Sequence, residues 1–234
     1  MPQRIIIILL FSFLSLIANE SALKAYKNKD YKKAFHLYEL SAKNGDSLSQ
    51  SALSFLYFNG VGVQKNDTLG LKWLIKSANN LNYTAQYDLG MYYLQGRYVK
   101  QDYKNASTWL ESASSHGNKD AQYNLALMYY NGQGVDSNVT KSAFLLSEAA
   151  YNGHEKAKSN IGRIYMQLLK FDKAIFWLKI NANDGDTQAY YLLAEIYIEK
   201  EDFKNAAFWA KKSISKNNPD AQVLWDKYKL DKYE

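Results

Sequence analysis

The chain is built on a period. Small residues open successive units at Ser49, Ala85, Ala121, Ala157, Ala189 and Ala221, spaced 36, 36, 36, 32 and 32 residues apart. Four residues into each complete unit stands Leu53, Leu89, Leu125, Ile161 or Leu193, followed at once by a small residue: Ser54, Gly90, Ala126, Gly162 or Ala194. A tyrosine falls eight residues in every time, as Tyr57, Tyr93, Tyr129, Tyr165 and Tyr197. Later in the unit a large apolar residue recurs as Trp73, Trp109, Leu145, Trp177 and Trp209, so four of the five tryptophans share one register. A fixed period of this length marks a repeat architecture.

The spacing dictates the local structure. Positions 0, 4 and 8 of each unit, and then 21, 24 and 28, lie on single faces of two α-helices. Between them the first three units carry Gly60-Val61-Gly62-Val63, Gly96-Arg97-Tyr98-Val99 and Gly132-Gln133-Gly134-Val135. Glycine supplies the positive φ that stops a helix and turns the chain. The last two complete units have short turns instead, at Leu169-Lys170-Phe171-Asp172 and Glu201-Asp202, which accounts for their 32-residue length. Turn chemistry such as Asn152-Gly153-His154 and Asp184-Gly185-Asp186 closes the units. One such hairpin cannot bury its apolar face alone, whereas a stack can. The expectation is an all-α fold, an α-solenoid of stacked helical hairpins.

The run Ala85, Leu89, Gly90, Tyr93, Gly96, Val99, Asp102, Ala106, Trp109, Ala113, Gly117 resembles the Sel-one-like repeat family, a relative of the tetratricopeptide repeats. The match covers Ser49 to Gly153 well, and from Ala157 onward the units look more like tetratricopeptide repeats. The resemblance implies an α-α superhelix of right-handed sense and a role in assembling other proteins.

The remaining boundaries follow from this frame. Arg4 followed by the apolar run from Ile5 to Ile17 reads as a secretory signal peptide over residues 1–18. The run is short of the roughly 20 apolar residues that a membrane span needs. An uncleaved anchor is the alternative and the only source of membrane contact. Either way the rest of the chain is expected to be exported, periplasmic or secreted. It divides into an N-terminal hairpin at 19–48, repeats at 49–84, 85–120, 121–156, 157–188 and 189–220, and a capping helix at 221–234.

Chemistry is sparse. The chain has no cysteine, so no disulfide supports it. Its net charge of +6 is spread among interspersed acids and bases. Beyond the leader it has only Arg97 and Arg163 as arginines, which with export argues against nucleic acid. His36, His116 and His154 lie in different units without ligand-spaced neighbours, so no metal or other cofactor is expected. The run Ser112-Ala113-Ser114-Ser115-His116 has no recognisable catalytic motif around it, and the chain reads as non-enzymatic. Asn66, Asn82, Asn105 and Asn138 begin Asn-x-Ser/Thr triplets, which chance explains in a chain rich in these residues.

The surface left for function is the face of the first helix in each hairpin. Its open positions should be offset from the packing register, at 2, 6, 9 and 10 from each unit's start. They give Phe55 and Phe58; Tyr87, Met91 and Gln95; Tyr123, Leu127, Tyr130 and Asn131; Arg163 and Gln167; Tyr191 and Glu195. So many aromatics on a helix surface are either buried between hairpins or bind something. The functional reading is a concave groove for a protein or peptide of unknown identity. The alternative, carried by the resemblance alone, is binding or hydrolysis of cell-wall glycan or β-lactam.

Overall fold

A computed structural model of the chain describes residues 19–233. The segment 1–18, read above as a signal peptide, lies outside them. The described residues form helices and no strand: α1 (residues 19–27), α2 (Tyr31–Lys43), α3 (Ser47–Asn59), α4 (Asp67–Asn79), α5 (Tyr83–Gln95), α6 (Tyr103–Ser115), α7 (Lys119–Asn131), α8 (Val139–Tyr151), α9 (Glu155–Gln167), α10 (Phe171–Asn183), α11 (Thr187–Glu199), α12 (Phe203–Ile214) and α13 (Pro219–Tyr228). A 3-10 turn at Leu230–Tyr233 follows. The helices fall into two compact units, divided within α7. Unit 1 reaches Ala121 and includes Gln133–Val135, and unit 2 holds Gln122–Gly132 and everything from Asp136. Within each unit, helices pack on their neighbours in sequence as consecutive hairpins.

One backbone bond recurs in all five repeats. The N–H of the residue that caps the second helix donates to the carbonyl of the register tyrosine. The pairs are Asn66 to Tyr57 at 2.9 Å, Asp102 to Tyr93 at 2.9 Å, Asn138 to Tyr129 at 2.8 Å, Lys170 to Tyr165 at 2.9 Å and Asp202 to Tyr197 at 2.8 Å. The bond is the same whether the hairpin carries a glycine loop or a short turn. The four extra loop residues therefore leave the helix pairing unchanged. In the short turns the chain reverses through a single left-handed residue, Leu169 at φ +54° or Glu201 at +58°.

The helix starts are chemically defined. Asp46, Asn66, Asn82, Asp102, Asn138, Asp186 and Asp202 each accept a backbone N–H from the first turn through their side chains, which offsets the orphan donors there. Three of the Asn-x-Ser/Thr asparagines, Asn66, Asn82 and Asn138, are thus helix caps.

The small residues set how closely the helices approach. A Cβ on Gly90 would stand 2.9 Å from Leu110 Cγ, and one on Gly162 2.8 Å from Leu178 Cγ. In two glycine loops the second glycine is required twice over. Gly62 and Gly134 have φ near +70°, and a Cβ would meet the carbonyl oxygens of Tyr31 and Tyr103 at 2.2 and 2.3 Å. Repeat two departs from this pattern: Tyr98 takes the place of the second glycine and holds φ +60°.

Burial sharpens the register. Leu53, Leu89, Leu125, Ile161 and Leu193 are essentially inaccessible. Leu145, Trp177, Trp209, Tyr165 and Tyr197 are buried, whereas Trp73, Trp109, Tyr57, Tyr93 and Tyr129 are half-buried. Lys141 lies 4.3 Å over the Tyr129 ring and donates to its hydroxyl at 2.6 Å. The C-terminal cap is shorter than the sequence suggests. It stops at Tyr228, turns through Lys229 at φ +51°, and inserts Leu230 fully into the packing.

Truncations should therefore be graded by burial. Trp177→Ala is expected to cost about 3–5 kcal/mol, as large core deletions do, and Tyr129→Ala clearly less. Guanidinium unfolding midpoints of the two variants check this ranking.

Candidate functional site

Each unit has a cleft on the side of the first helices. In unit 1, Phe55 and Phe58 of α3, Leu74 of α4, Asp88 and Tyr92 of α5, and Arg97 and Tyr98 of the following loop enclose about 220 Å³. In unit 2, Leu127 and Tyr130 of α7, Leu146 of α8, and Asn160, Arg163 and Ile164 of α9 enclose about 190 Å³. Positions 6, 9 and 25 of one repeat and 3 and 7 of the next recur in both. The packing register thus produces the same cleft twice, and residues peculiar to each repeat give it different chemistry.

Five of the residues chosen from sequence line these clefts: Phe55 and Phe58 in unit 1, Leu127, Tyr130 and Arg163 in unit 2. Phe55 is 50% exposed, while Phe58 is buried as part of the wall. Gln167 joins the second group, because the Tyr130 hydroxyl donates to its Oε1 at 3.2 Å. Tyr123 is engaged in packing, its ring stacked on His154 at 4.2 Å. Tyr191 donates to Glu195 Oε1 at 2.7 Å, and burial followed by that bond pushes its pKa up to about 12. Tyr87 and Met91 are half-buried, Gln95 and Asn131 exposed, and none of the four lines either cleft.

Asp88, Tyr92, Arg97 and Tyr98 lie outside the positions expected from sequence. One signal for Asp88 is present: it is the only charged residue in the thirteen of α5. In unit 1 these residues form an aromatic cluster. Tyr98 stacks on Phe58 with ring centres 4.2 Å apart, and Tyr92 meets Phe58 edge-on at 5.7 Å. Arg97 lies 4.8 Å over the Tyr98 ring and donates from Nη2 to its hydroxyl at 2.9 Å. Asp88 makes no hydrogen bond or ion pair among the described residues, and burial raises its carboxyl above the usual range. Burial and the neighbouring Asp88 likewise raise Tyr92.

The only serine–histidine neighbours in the run noted from sequence, Ser115 and His116, meet at 3.1 Å between Oγ and Nδ1, but that nitrogen is not placed to act as a base. His116 Nδ1 lies 2.9 Å from the Ser112 carbonyl, which can only accept, so Nδ1 carries the proton. The Ser115 hydroxyl itself donates to that carbonyl at 2.8 Å. The His116 ring stacks on Tyr83 at 3.7 Å. It ties the start of α5 to the end of α6, and His154, after α8, stacks on Tyr123 of α7 in the same way. Among the described residues no cluster of His, Asp or Glu has the arrangement to hold a metal.

A different surface lies on the second helices of unit 2. Phe144, Phe176 and Phe208 are 61%, 49% and 51% exposed, each one residue before the buried Leu145, Trp177 or Trp209. Phe144, Tyr151, Phe176 and Trp177 line an open depression of about 450 Å³ there.

An ionised Asp88 without a partner is a cost to the fold. A raised folded-state pKa makes that cost present at neutral pH and absent once the group is protonated in both folded and unfolded chains. Asp88→Asn should therefore raise the melting temperature at neutral pH, with the gain fading as pH falls through the folded-state pKa. Calorimetric melts of both proteins across that range check the sign.

Comparison with known proteins agrees with this architecture. The family model described as Sel1 repeat matches residues 25–46, 47–80, 84–118, 119–154 and 187–218, more than half the chain. A protective antigen of uropathogenic Escherichia coli, c5321, described as displaying an SLR fold, is 25% identical with a TM-score of 0.71 over 92% of this chain. The chain spans about half the length of that antigen, 49%. A Sel1 repeat protein from Oxalobacter formigenes is 26% identical with a TM-score of 0.63, covering 86% of this chain and 87% of its own. No curated protein matches. Motif, fold and matched segments agree: the chain belongs to the Sel1 repeat family.

Proposed function

We propose that this protein is an exported, non-catalytic scaffold that holds a segment of another protein in the first-helix clefts of its units. Sel1 repeat proteins are typically protein-interaction modules. The observation that carries the reading here is the recurrence of one cleft from one register, in units 1 and 2, with the side chains at its mouth left open. A segment in the unit 1 cleft finds aromatic area at Phe55 and a polar group at Asn59, and one in the unit 2 cleft finds Tyr130, Asn160 and Arg163. Anchors in pockets with a polar surround are how a few residues come to dominate an interface.

Export rests on the leader-like sequence of residues 1–18. The E. coli relative's description as a protective antigen is in keeping with it. No helix of the described residues is long and apolar enough to cross a membrane. The geometry of Ser115 and His116 gives no support to hydrolysis.

Capture from the exported compartment tests the reading. Immobilised chain is compared with Phe55→Ala/Arg163→Ala, which alters one open side chain in each cleft and leaves the packing register intact. Loss of a specific protein by the folded double variant, with affinity down roughly 30-fold for about 2 kcal/mol of anchor energy, is expected. Equal retention by both proteins would place binding on another surface.

A further inference from the structure

We propose that the unit 1 cleft binds the ε-ammonium of a lysine side chain carried by the partner segment. This rests on the peptide-binding reading and names what one of its clefts selects. The cleft offers a carboxylate, Asp88, and two hydroxyls, Ser51 and Ser54, none of which makes a side-chain hydrogen bond among the described residues. Three acceptors suit an ammonium, a compact charge with three donors. The walls are the rings of Phe55, Phe58, Tyr92 and Tyr98, and about 220 Å³ leaves room for an aliphatic stem. Aromatic faces attract cations, most strongly when water is excluded. These rings already do so, because Arg97 lies against Tyr98 at 4.8 Å and Tyr92 at 5.6 Å.

Two features of this cleft cost the fold energy. One is the unpaired carboxylate of Asp88. A bound cation would offset it, and Arg97 does not, since no ion pair joins them. The other is Tyr98 in the left-handed region, where repeats one and three have glycine at φ +70° and +71°. A non-glycine residue there is strained. Its effect is to lay a ring on Phe58 and complete the aromatic wall. The equivalent cleft of unit 2 has Asn160 in place of the carboxylate and Arg163 at its mouth, so the lysine preference belongs to unit 1 alone.

The test titrates the full chain with Nα-acetyl-lysine methylamide, followed by amide chemical shifts, beside the norleucine compound of equal length and no charge. Saturable shifts at Ser51, Asp88, Tyr92 and Tyr98 are expected. The norleucine compound, and Asp88→Asn with the lysine compound, should each bind at least about tenfold more weakly, the scale of a charge-assisted bond. Arg97→Gln, which removes a like charge from the mouth, should tighten binding. Tyr98→Gly restores the loop's usual residue and should weaken it in a folded protein. Equal binding of the two compounds, or no saturable shift with the lysine compound, overturns the inference. If a partner is captured through Phe55 and Arg163 but the lysine compound fails, this inference falls and the scaffold reading stands. Lysine binding without any captured partner keeps the lysine site and removes the scaffold reading.

Discussion

The hydrogen bond from the second helix's capping residue to the register tyrosine carbonyl is the constraint on which the rest depends. It is made in all five repeats at 2.8–2.9 Å, across two loop lengths. It fixes where the second helix starts relative to the end of the first. With that start fixed, the residues in the small positions (Gly90, Gly162) meet the leucines of the second helix, and the tyrosine and tryptophan registers fall between hairpins. A backbone bond does this without demanding a particular side chain. The loop is therefore free to vary, and it does so at Tyr98.

That variation separates scaffold from site. Positions that recur, such as Leu53, Leu89 and Leu125, are buried and give every repeat the same register. Positions that do not recur give the clefts their character. Position 3 is Ala52, Asp88, Asn124, Asn160 and Leu192 in successive repeats. Only in repeat two is it a carboxylate, and only there does the loop carry a strained tyrosine. The cleft that combines an unpaired, partly buried carboxylate with a left-handed tyrosine is the one proposed to select a lysine.

Much of the fold is legible in the sequence because the periodicity is physical. Leucine at 4, tyrosine at 8 and tryptophan late in the unit can only repeat if the same faces are buried each time. The capping role of Asn66, Asn82 and Asn138 is not legible there, because no apolar run directly follows them to mark a helix start. The site is less legible, for identifiable reasons. Offset positions follow from the geometry of one helix, so Tyr123 reads as open, whereas His154, after the second helix of the same repeat, stacks on it. The cleft needs positions 3 and 7 of the following repeat, which one helix does not reveal. Gly96-Arg97-Tyr98-Val99 reads as one more glycine loop, which hides the tyrosine in it. The exposed phenylalanines at 144, 176 and 208 are invisible for the opposite reason: they stand beside a buried register and look like part of it.

Those phenylalanines supply the sharpest rival to the account, because they too form a periodic apolar surface. A photo-reactive residue placed at Phe55, and in a second protein at Phe144, separates the two faces during exposure to the exported compartment. One discrete cross-linked partner is expected from position 55, suppressed by excess unlabelled chain, and none from position 144. A discrete partner from position 144 with none from position 55 would contradict it.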